Sequence, residues 1–193
     1  MEIVPYSDKY REQVQKICLE TGPAAALTDP KIGSCILNNY CNYYIDNEAE
    51  HCFVLLDDDG LARGYILCAG DYHTYRSRFK PYGKIIRKNG GREYIEMLAE
   101  HTAMRVFSRN YPAHFHIDIS DEFTGRGCGP KLMEALLSKL REENVSGVML
   151  TAGLGNEGAI RFYRRLGFRT LISIFGGTVM GLRLDNENTQ QNK

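Results

Sequence analysis

From Ala113 to Ile119 the chain alternates strictly: Phe115, Ile117 and Ile119 fall on one side, His114, His116 and Asp118 on the other. A period of two sustained over seven residues predicts a strand. Farther on, Leu132, Ala135, Leu136 and Leu140 recur at helical spacing and predict an amphipathic helix. Between strand and helix lie three glycines spaced two apart, Gly125, Gly127 and Gly129. The remaining pattern is arranged around this stretch. Residues 1–6 are apolar enough for an edge strand. Val14, Ile17 and Cys18 predict a helix that starts near Ser7 and Asp8 and is stopped by Gly22 and Pro23. A second helix is expected over residues 29–46, carrying Ile32, Cys35, Ile36, Asn39, Tyr40, Tyr43 and Tyr44, with the tyrosines read as core or rim packing. Residues 51–57 and 61–69 predict a hairpin around Asp58-Asp59-Gly60, with Gly64 marking a bulge. A helix over 93–109, a strand over 145–151 and a helix opened by Asn156 and closed by Gly167 follow. Residues 170–175 and 178–184 predict a closing strand pair, and the polar residues 185–193 a disordered tail.

Composition narrows this picture. The chain of 193 residues suits one α/β domain, expected over residues 1–184, with residues 71–112 as an insertion before the central strand. Lys and Arg number 24, as do Asp and Glu, so a general nucleic-acid or membrane-surface role lacks electrostatic support. No apolar run approaches the roughly 20 residues needed to span a bilayer. The first ten residues, MEIVPYSDKY, have neither the basic start nor the apolar stretch of a signal peptide. Six cysteines are scattered without a CxxC pair, which argues against a zinc site or disulfide framework and for reduced thiols in a cytoplasmic setting.

Strand, glycine turn and helix in that order make an anion cradle, because glycine lets backbone approach a ligand and helix-opening N–H groups point at negative charge. A P-loop needs Lys and then Ser or Thr after its last glycine, where this chain has Pro130-Lys131-Leu132. The dinucleotide fingerprint needs a sixth-position glycine, and that position is Pro130. The run Thr124-Gly125-Arg126-Gly127-Cys128-Gly129 resembles instead the Q/R-x-x-G-x-G/A pyrophosphate loop of the GNAT acyl-CoA N-acetyltransferases, with Thr124 in place of the usual Gln or Arg. A second motif, NEGAIRFYRRLGF, puts Tyr163 seven residues after Asn156, two helical turns on and near the same side of one helix. It is similar to the segment that closes over the thioester arm of CoA in that family.

The resemblance implies a mixed, mostly antiparallel α/β (α+β) sheet flanked by helices and splayed near its centre to admit acetyl-CoA. It implies an acetyl-CoA-dependent N-acetyltransferase that passes the acetyl group directly to a primary amine in a ternary complex. The backbone of Ile117 and Ile119 would pair with the pantetheine arm. Thr124, Gly125, Arg126, Gly127, Cys128, Gly129 and Pro130 would hold the pyrophosphate, Asn156 the pantetheine, and Tyr163 would protonate the departing thiolate. Family members commonly place a carboxylate on the strand before Asn156. This chain has Thr151 there, so Asp118 is the expected base. No metal is expected: His114, His116 and Asp118 stand at i, i+2 and i+4, but acyl transfer needs none. The alternative is a catalytically silent acyl-CoA-binding or protein-interaction module. A small-molecule or peptide amine is the expected partner, with no nucleic acid and no membrane, on a monomer or homodimer.

Two features remain. Arg76, Arg78, Lys80, Lys84, Arg87, Lys88 and Arg92 occur without an acid among them, interleaved with Tyr72, Tyr75, Phe79 and Tyr82. The preferred reading is a solvated loop before a helix that covers the sheet; a clamp for an acidic acceptor or for CoA phosphates is the other. The insertion together with HFHIDI and GRGCGPKLMEALL also looks similar to the acetyltransferase-like domains of O-GlcNAcases and their free-standing bacterial relatives.

Overall fold

The computed structural model describes residues 1–153, 155–174 and 177–184. Phe175 and Gly176 of the expected last hairpin, and the expected tail at 185–193, lie outside the described residues. A seven-stranded sheet forms the middle layer in the order β1-β2-β3-β4-β5-β7-β6. Its strands are β1 (Glu2–Pro5), β2 (Phe53–Leu56), β3 (Ala62–Ala69), β4 (Ala113–Ile119), β5 (Gly147–Gly153), β6 (Arg169–Ile174) and β7 (Gly177–Arg183). Neighbours are antiparallel except β4 and β5, so the mixed, mostly antiparallel sheet is as expected. The extra residue at Arg63 shifts the β2–β3 register next to Gly64, where a side chain would strike the Asp118 carbonyl 2.9 Å away.

Helices cover both faces. One face carries α1 (Arg11–Thr21), α2 (Ala25–Thr28), α3 (Pro30–Tyr40), α4 (Asn42–Asn47), α5 (Tyr72–Arg78), α6 (Lys80–Asn89) and α7 (Gly91–Phe107); the other carries α8 (Cys128–Glu142) and α9 (Glu157–Arg165). The period of β4 sorts the two cores: Phe115, Ile117 and Ile119 pack toward α8 and α9. Leu132, Leu136 and Leu140 of α8 are fully buried beneath that face. All six cysteines lie among the described residues, buried and without a disulfide. No helix among the described residues is long and apolar enough to cross a membrane.

Two expectations are corrected. The helix expected over 29–46 is broken at Cys41, whose backbone (φ −134°, ψ −66°) leaves helical geometry. The turn swings Tyr43 and Tyr44 together into the core, both at 0% exposure. Periodicity does not see this break, because both halves are helical and neither Cys41 nor Asn42 is a breaker. The basic segment is also not a solvated loop. Asp71 caps α5 by accepting from Thr74 N at 2.8 Å, and Pro81 enters α6 in its first turn. Tyr72, Tyr75, Phe79 and Ile86 are buried along these two helices, while Arg76, Arg78, Lys80, Lys84, Arg87 and Lys88 are exposed.

The tyrosines wrap three histidines that are held neutral. His101 Nε2 meets Tyr75 Oη at 2.9 Å and His116 Nε2 meets Tyr44 Oη at 3.0 Å, while the His114 ring lies edge-on 4.3 Å from Tyr75. Burial lowers His101 to about 4 and His116 to about 3, and pushes His114 well down. Each remains neutral in the fold while the unfolded chain takes up a proton below about 6.5. Each therefore withdraws stability as pH falls through that value, up to roughly 1.4 kcal/mol per pH unit, until the folded form also protonates. Urea unfolding of His101→Gln should lose less stability than the wild type between pH 6.5 and 5. Equal slopes in the two proteins would mean that His101 is hydrated.

Candidate active site

The parallel pair β4–β5 is joined only at Ala113↔Val148 and His114↔Met149. Beyond these pairs the strands part, with β4 staying on β3 as far as Gly64↔Ile119 and β5 staying on β7 as far as Gly153↔Gly177. A cavity of about 520 Å³ opens in the gap. Its walls are Phe115 to Asp118 of β4, Leu150 to Gly153 of β5, and Asn156, Ala159 and Tyr163. On the opposite side Thr21, Ile36, Tyr40, Arg92, Glu96 and Glu100 complete it. The sheet itself thus provides a slot whose unpaired strand edges are free to bond an extended ligand.

At the glycine turn the backbone takes the left-handed form at Gly125 (φ +72°) and Gly127 (φ +76°), and a Cβ built on either would meet nothing within 4 Å. Gly127 is the N-cap of α8, so the N–H groups of Gly127, Cys128 and Gly129 open a helix of 15 residues and have no intrahelical carbonyl. Pro130 is the third helical residue, and its missing N–H falls within the orphan set. Space, orphan donors and the helix dipole all suit an anion. The side chains contribute less than the motif implied. Thr124 Oγ1 donates to the Asp121 carbonyl at 2.8 Å, and the Cys128 thiol is buried against Met1 Sδ at 3.6 Å. Arg126 stands over the Phe123 ring, 5.2 Å from its centroid. Gly129 lets α8 close on α9, since a Cβ there would sit 3.3 Å from the Phe162 ring.

Asn156 caps α9, its Oδ1 accepting from Ala159 N at 2.9 Å, and leaves its amide nitrogen for a ligand in the cavity it lines. Tyr163 lies two turns on, buried at 7% exposure, with its ring edge-on to Phe115 and Phe168 at 6.1 and 5.6 Å. Its hydroxyl has no hydrogen-bond partner among the described residues, yet the side chain lines the cavity. Burial first, and then the Asp118 carboxylate, raises the phenol well above its ordinary value. It holds its proton at any working pH.

Asp118 and Tyr163 both line this cavity. The Asp118 Oδ2 accepts from Tyr65 Oη at 2.5 Å, and the Thr21 hydroxyl, whose proton goes to the Ile17 carbonyl at 2.8 Å, lies beside it. Burial raises its carboxyl despite these neighbours. The three residues His114, His116 and Asp118 do not converge: Asp118 goes to Tyr65 and His116 to Tyr44, while both His114 nitrogens are buried without a partner among the described residues.

Glu100 lies outside the expected site yet lines the cavity beside Thr151. It belongs to the face of α7 that buries Met97 and Met104 and turns His101 to Tyr75. Burial raises its carboxyl to about 7, against hydrogen bonds from Asn39 and Thr151, while like charge on Glu96 adds to the rise. The signal was present: an acid three residues after Met97 and four before Met104 occupies the helix's inward stripe. Of the seven basic residues from Arg76 to Arg92, Arg92 alone lines the cavity, paired with Glu96 at 2.8 Å.

Similarity to known proteins bears on this site. The family model described as the acetyltransferase (GNAT) family matches residues 25–168, a span that includes both the glycine turn and the Asn156–Tyr163 helix. N-alpha-acetyltransferase 30 of Schizosaccharomyces pombe is 27% identical over 167 residues, covering 86% of this chain and 82% of that protein. The crystal structure of SsHAT superposes with a TM-score of 0.80 at 30% identity, covering 96% of this chain and 98% of the other. The structure of yncA from Salmonella typhimurium, which holds acetyl-CoA as its cofactor, shares the fold at a TM-score of 0.60 and 16% identity, with 96% and 95% covered.

Proposed function

The chain belongs to the acetyltransferase (GNAT) family, and we propose that it moves an acetyl group from acetyl-CoA directly to a primary amine within a ternary complex. The observation that carries this reading is the gap between β4 and β5, flanked by an anion cradle at one end and by Asn156 and Tyr163 along its wall. The Gly127–Gly129 backbone receives the pyrophosphate. The splayed edge at Ile117 and Ile119 and the Asn156 amide receive the pantetheine arm. Tyr163, protonated and turned to the cavity, gives its proton to the thiolate as it leaves; a phenol is a competent donor to a thiolate if the site biases the transfer. No metal has a part in this scheme. Initial rates with both substrates varied should give intersecting double-reciprocal lines. Parallel lines would indicate an acetyl-enzyme and contradict direct transfer.

The acceptor enters from the side of Thr21, Tyr40, Glu96 and Glu100. Three acids, Glu96, Glu100 and Asp118, line the cavity against one cation, Arg92, and favour an acceptor that arrives as a cationic amine. The name of the fission-yeast relative makes a peptide or amino-acid α-amine one class to test, beside small amines and aminosugars. The narrower kinship with acetyltransferase-like domains of O-GlcNAcases rests on the insertion at 71–112 and on HFHIDI, and adds no constraint on the acceptor. Residues 1–184 act as one unit in this proposal, and the unpaired thiols suit a reducing cytoplasm.

Arg92 shapes acceptor choice. Arg92→Ala should change KM for the acceptor severalfold and leave that for acetyl-CoA unaltered, whereas the double change of Arg87 and Lys88 to Ala, on exposed positions outside the cavity, should alter neither. A lowered acetyl-CoA affinity in Arg92→Ala would move α7 into the cofactor's path.

A further inference from the structure

We propose that Glu100, brought to the acceptor side of the cavity by α7, is the general base that takes the proton from the acceptor amine. The proposal rests on the acetyl-transfer reading above and completes it. Glu100 lines the cavity from the inward stripe of its helix, where an acid costs free energy unless it is paired or used. Among the described residues it makes no salt bridge. Its hydrogen-bonding neighbours are the uncharged Asn39 of α3 and Thr151 of β5, and its nearest like charge is Glu96. Structural ion pairing therefore does not account for it. Thr151 is the position where the strand before Asn156 offers a hydroxyl and no acid. It lines the same cavity as the carboxylate that the insertion supplies across the gap.

Asp118 is less suited to the same task. Its Oδ2 is already engaged by the fully buried Tyr65 hydroxyl and its charge is felt by Tyr163, so it stands at the leaving-group side. It acts as a positioning residue that helps keep Tyr163 protonated. The charge of Glu100 is felt by Tyr40, which lines the other wall, and by Tyr44 and Tyr75 in the core behind it. Acid and base are thus separated across the slot, as attack and departure require.

The groups that bear on the titration of Glu100 are Glu96, Arg92 and His101 of its own helix, Tyr40 of α3, Tyr44 of α4, Tyr75 of α5, and His116 and Asp118 of β4, with Tyr163 of α9 beyond. The histidines are neutral, so their charge does not hold Glu100 ionised. In the step itself, the acceptor ammonium passes one proton to the Glu100 carboxylate, directly or through water, and from there to solvent. The freed nitrogen forms the C–N bond to the thioester carbonyl carbon. As the C–S bond breaks, sulfur takes a proton from Tyr163, which is restored by the second proton shed from nitrogen. The products are the acetamide, CoA thiol and one proton.

The test uses the full chain and whichever amine of a panel the wild type acetylates. Wild-type kcat/KM should rise with pH along a limb centred near 7, since the base must be ionised. Glu100→Gln should lose that limb and 10²–10⁴ in kcat, the range typical of general acid–base catalysis, while calorimetry shows unchanged acetyl-CoA affinity. Thr151→Val, which removes a donor to the carboxylate, should move the limb to higher pH. Carboxyl-carbon NMR of the unliganded protein should show a signal titrating near 7 that is absent from Glu100→Gln. That spectrum and the Thr151→Val limb decide the matter should the Gln variant fail to fold. A Glu100→Gln enzyme that keeps its rate and limb, or a limb lost in Asp118→Asn and not in Glu100→Gln, overturns the assignment and leaves the acetyltransferase reading standing. A wild type that acetylates no amine overturns both.

Discussion

Gly127→Asp is expected to abolish acetyl-CoA binding and to leave the fold intact. Gly127 is left-handed, with φ +76°, where an L-residue is strained by about 1–2 kcal/mol, aspartate less than most. A Cβ there meets nothing within 4 Å, so the new side chain has room beside the N-terminus of α8. Thermal melting should fall by a few degrees and stay cooperative, so binding can be read on folded protein. The carboxylate, however, occupies the place reserved for an anion. Two unit charges about 4 Å apart repel by roughly 4 kcal/mol at an effective dielectric of about 20, near a thousandfold in affinity for each phosphate charge at that distance. The loss should appear in calorimetry as an absence of measurable heat. A folded variant with wild-type affinity would show that the pyrophosphate lies elsewhere.

Tyr163→Phe is expected to lower kcat by 10²–10⁴, with KM for acetyl-CoA nearly unchanged, because the hydroxyl acts on the leaving thiolate and not on binding. The ring keeps its contacts with Phe115, Phe162 and Phe168. The hydroxyl has no partner among the described residues, so no buried group is orphaned by its removal. Stability should hardly move. If the variant turns over at the wild-type rate across pH 6–9 with chemistry rate-limiting, Tyr163 is a packing residue and solvent is the acid.

The central stretch was legible for a physical reason. Alternation from Ala113 to Ile119, left-handed glycines and an apolar stripe on α8 are local devices, and each leaves its mark within a few residues. The Asn156–Tyr163 helix was legible for the same reason, since cap and buried tyrosine lie two turns apart on one element. What was not legible depends on contacts distant in sequence. Cys41 breaks a helix whose two halves each bury residues in the core, Ile36 before it and Tyr43 and Tyr44 after it. The helices at 72–89 were concealed by their own charge: Tyr72, Tyr75, Phe79, Tyr82 and Ile86 run at alternating spacings of three and four, but the basic residues between them suggested a solvated loop. Glu100 was hidden in another way. It comes from the insertion, and only the packing of α7 over the splayed strands brings it beside Thr151.

Acetyl-CoA labelled in the acetyl group, incubated with the full chain and a panel of primary amines that includes peptide N-termini, tests the central claim most directly. Labelled acetamide and free CoA thiol should appear in equal amounts, with no label retained on the protein. Tight binding of acetyl-CoA without transfer to any amine, or label trapped on the protein ahead of product, would contradict it.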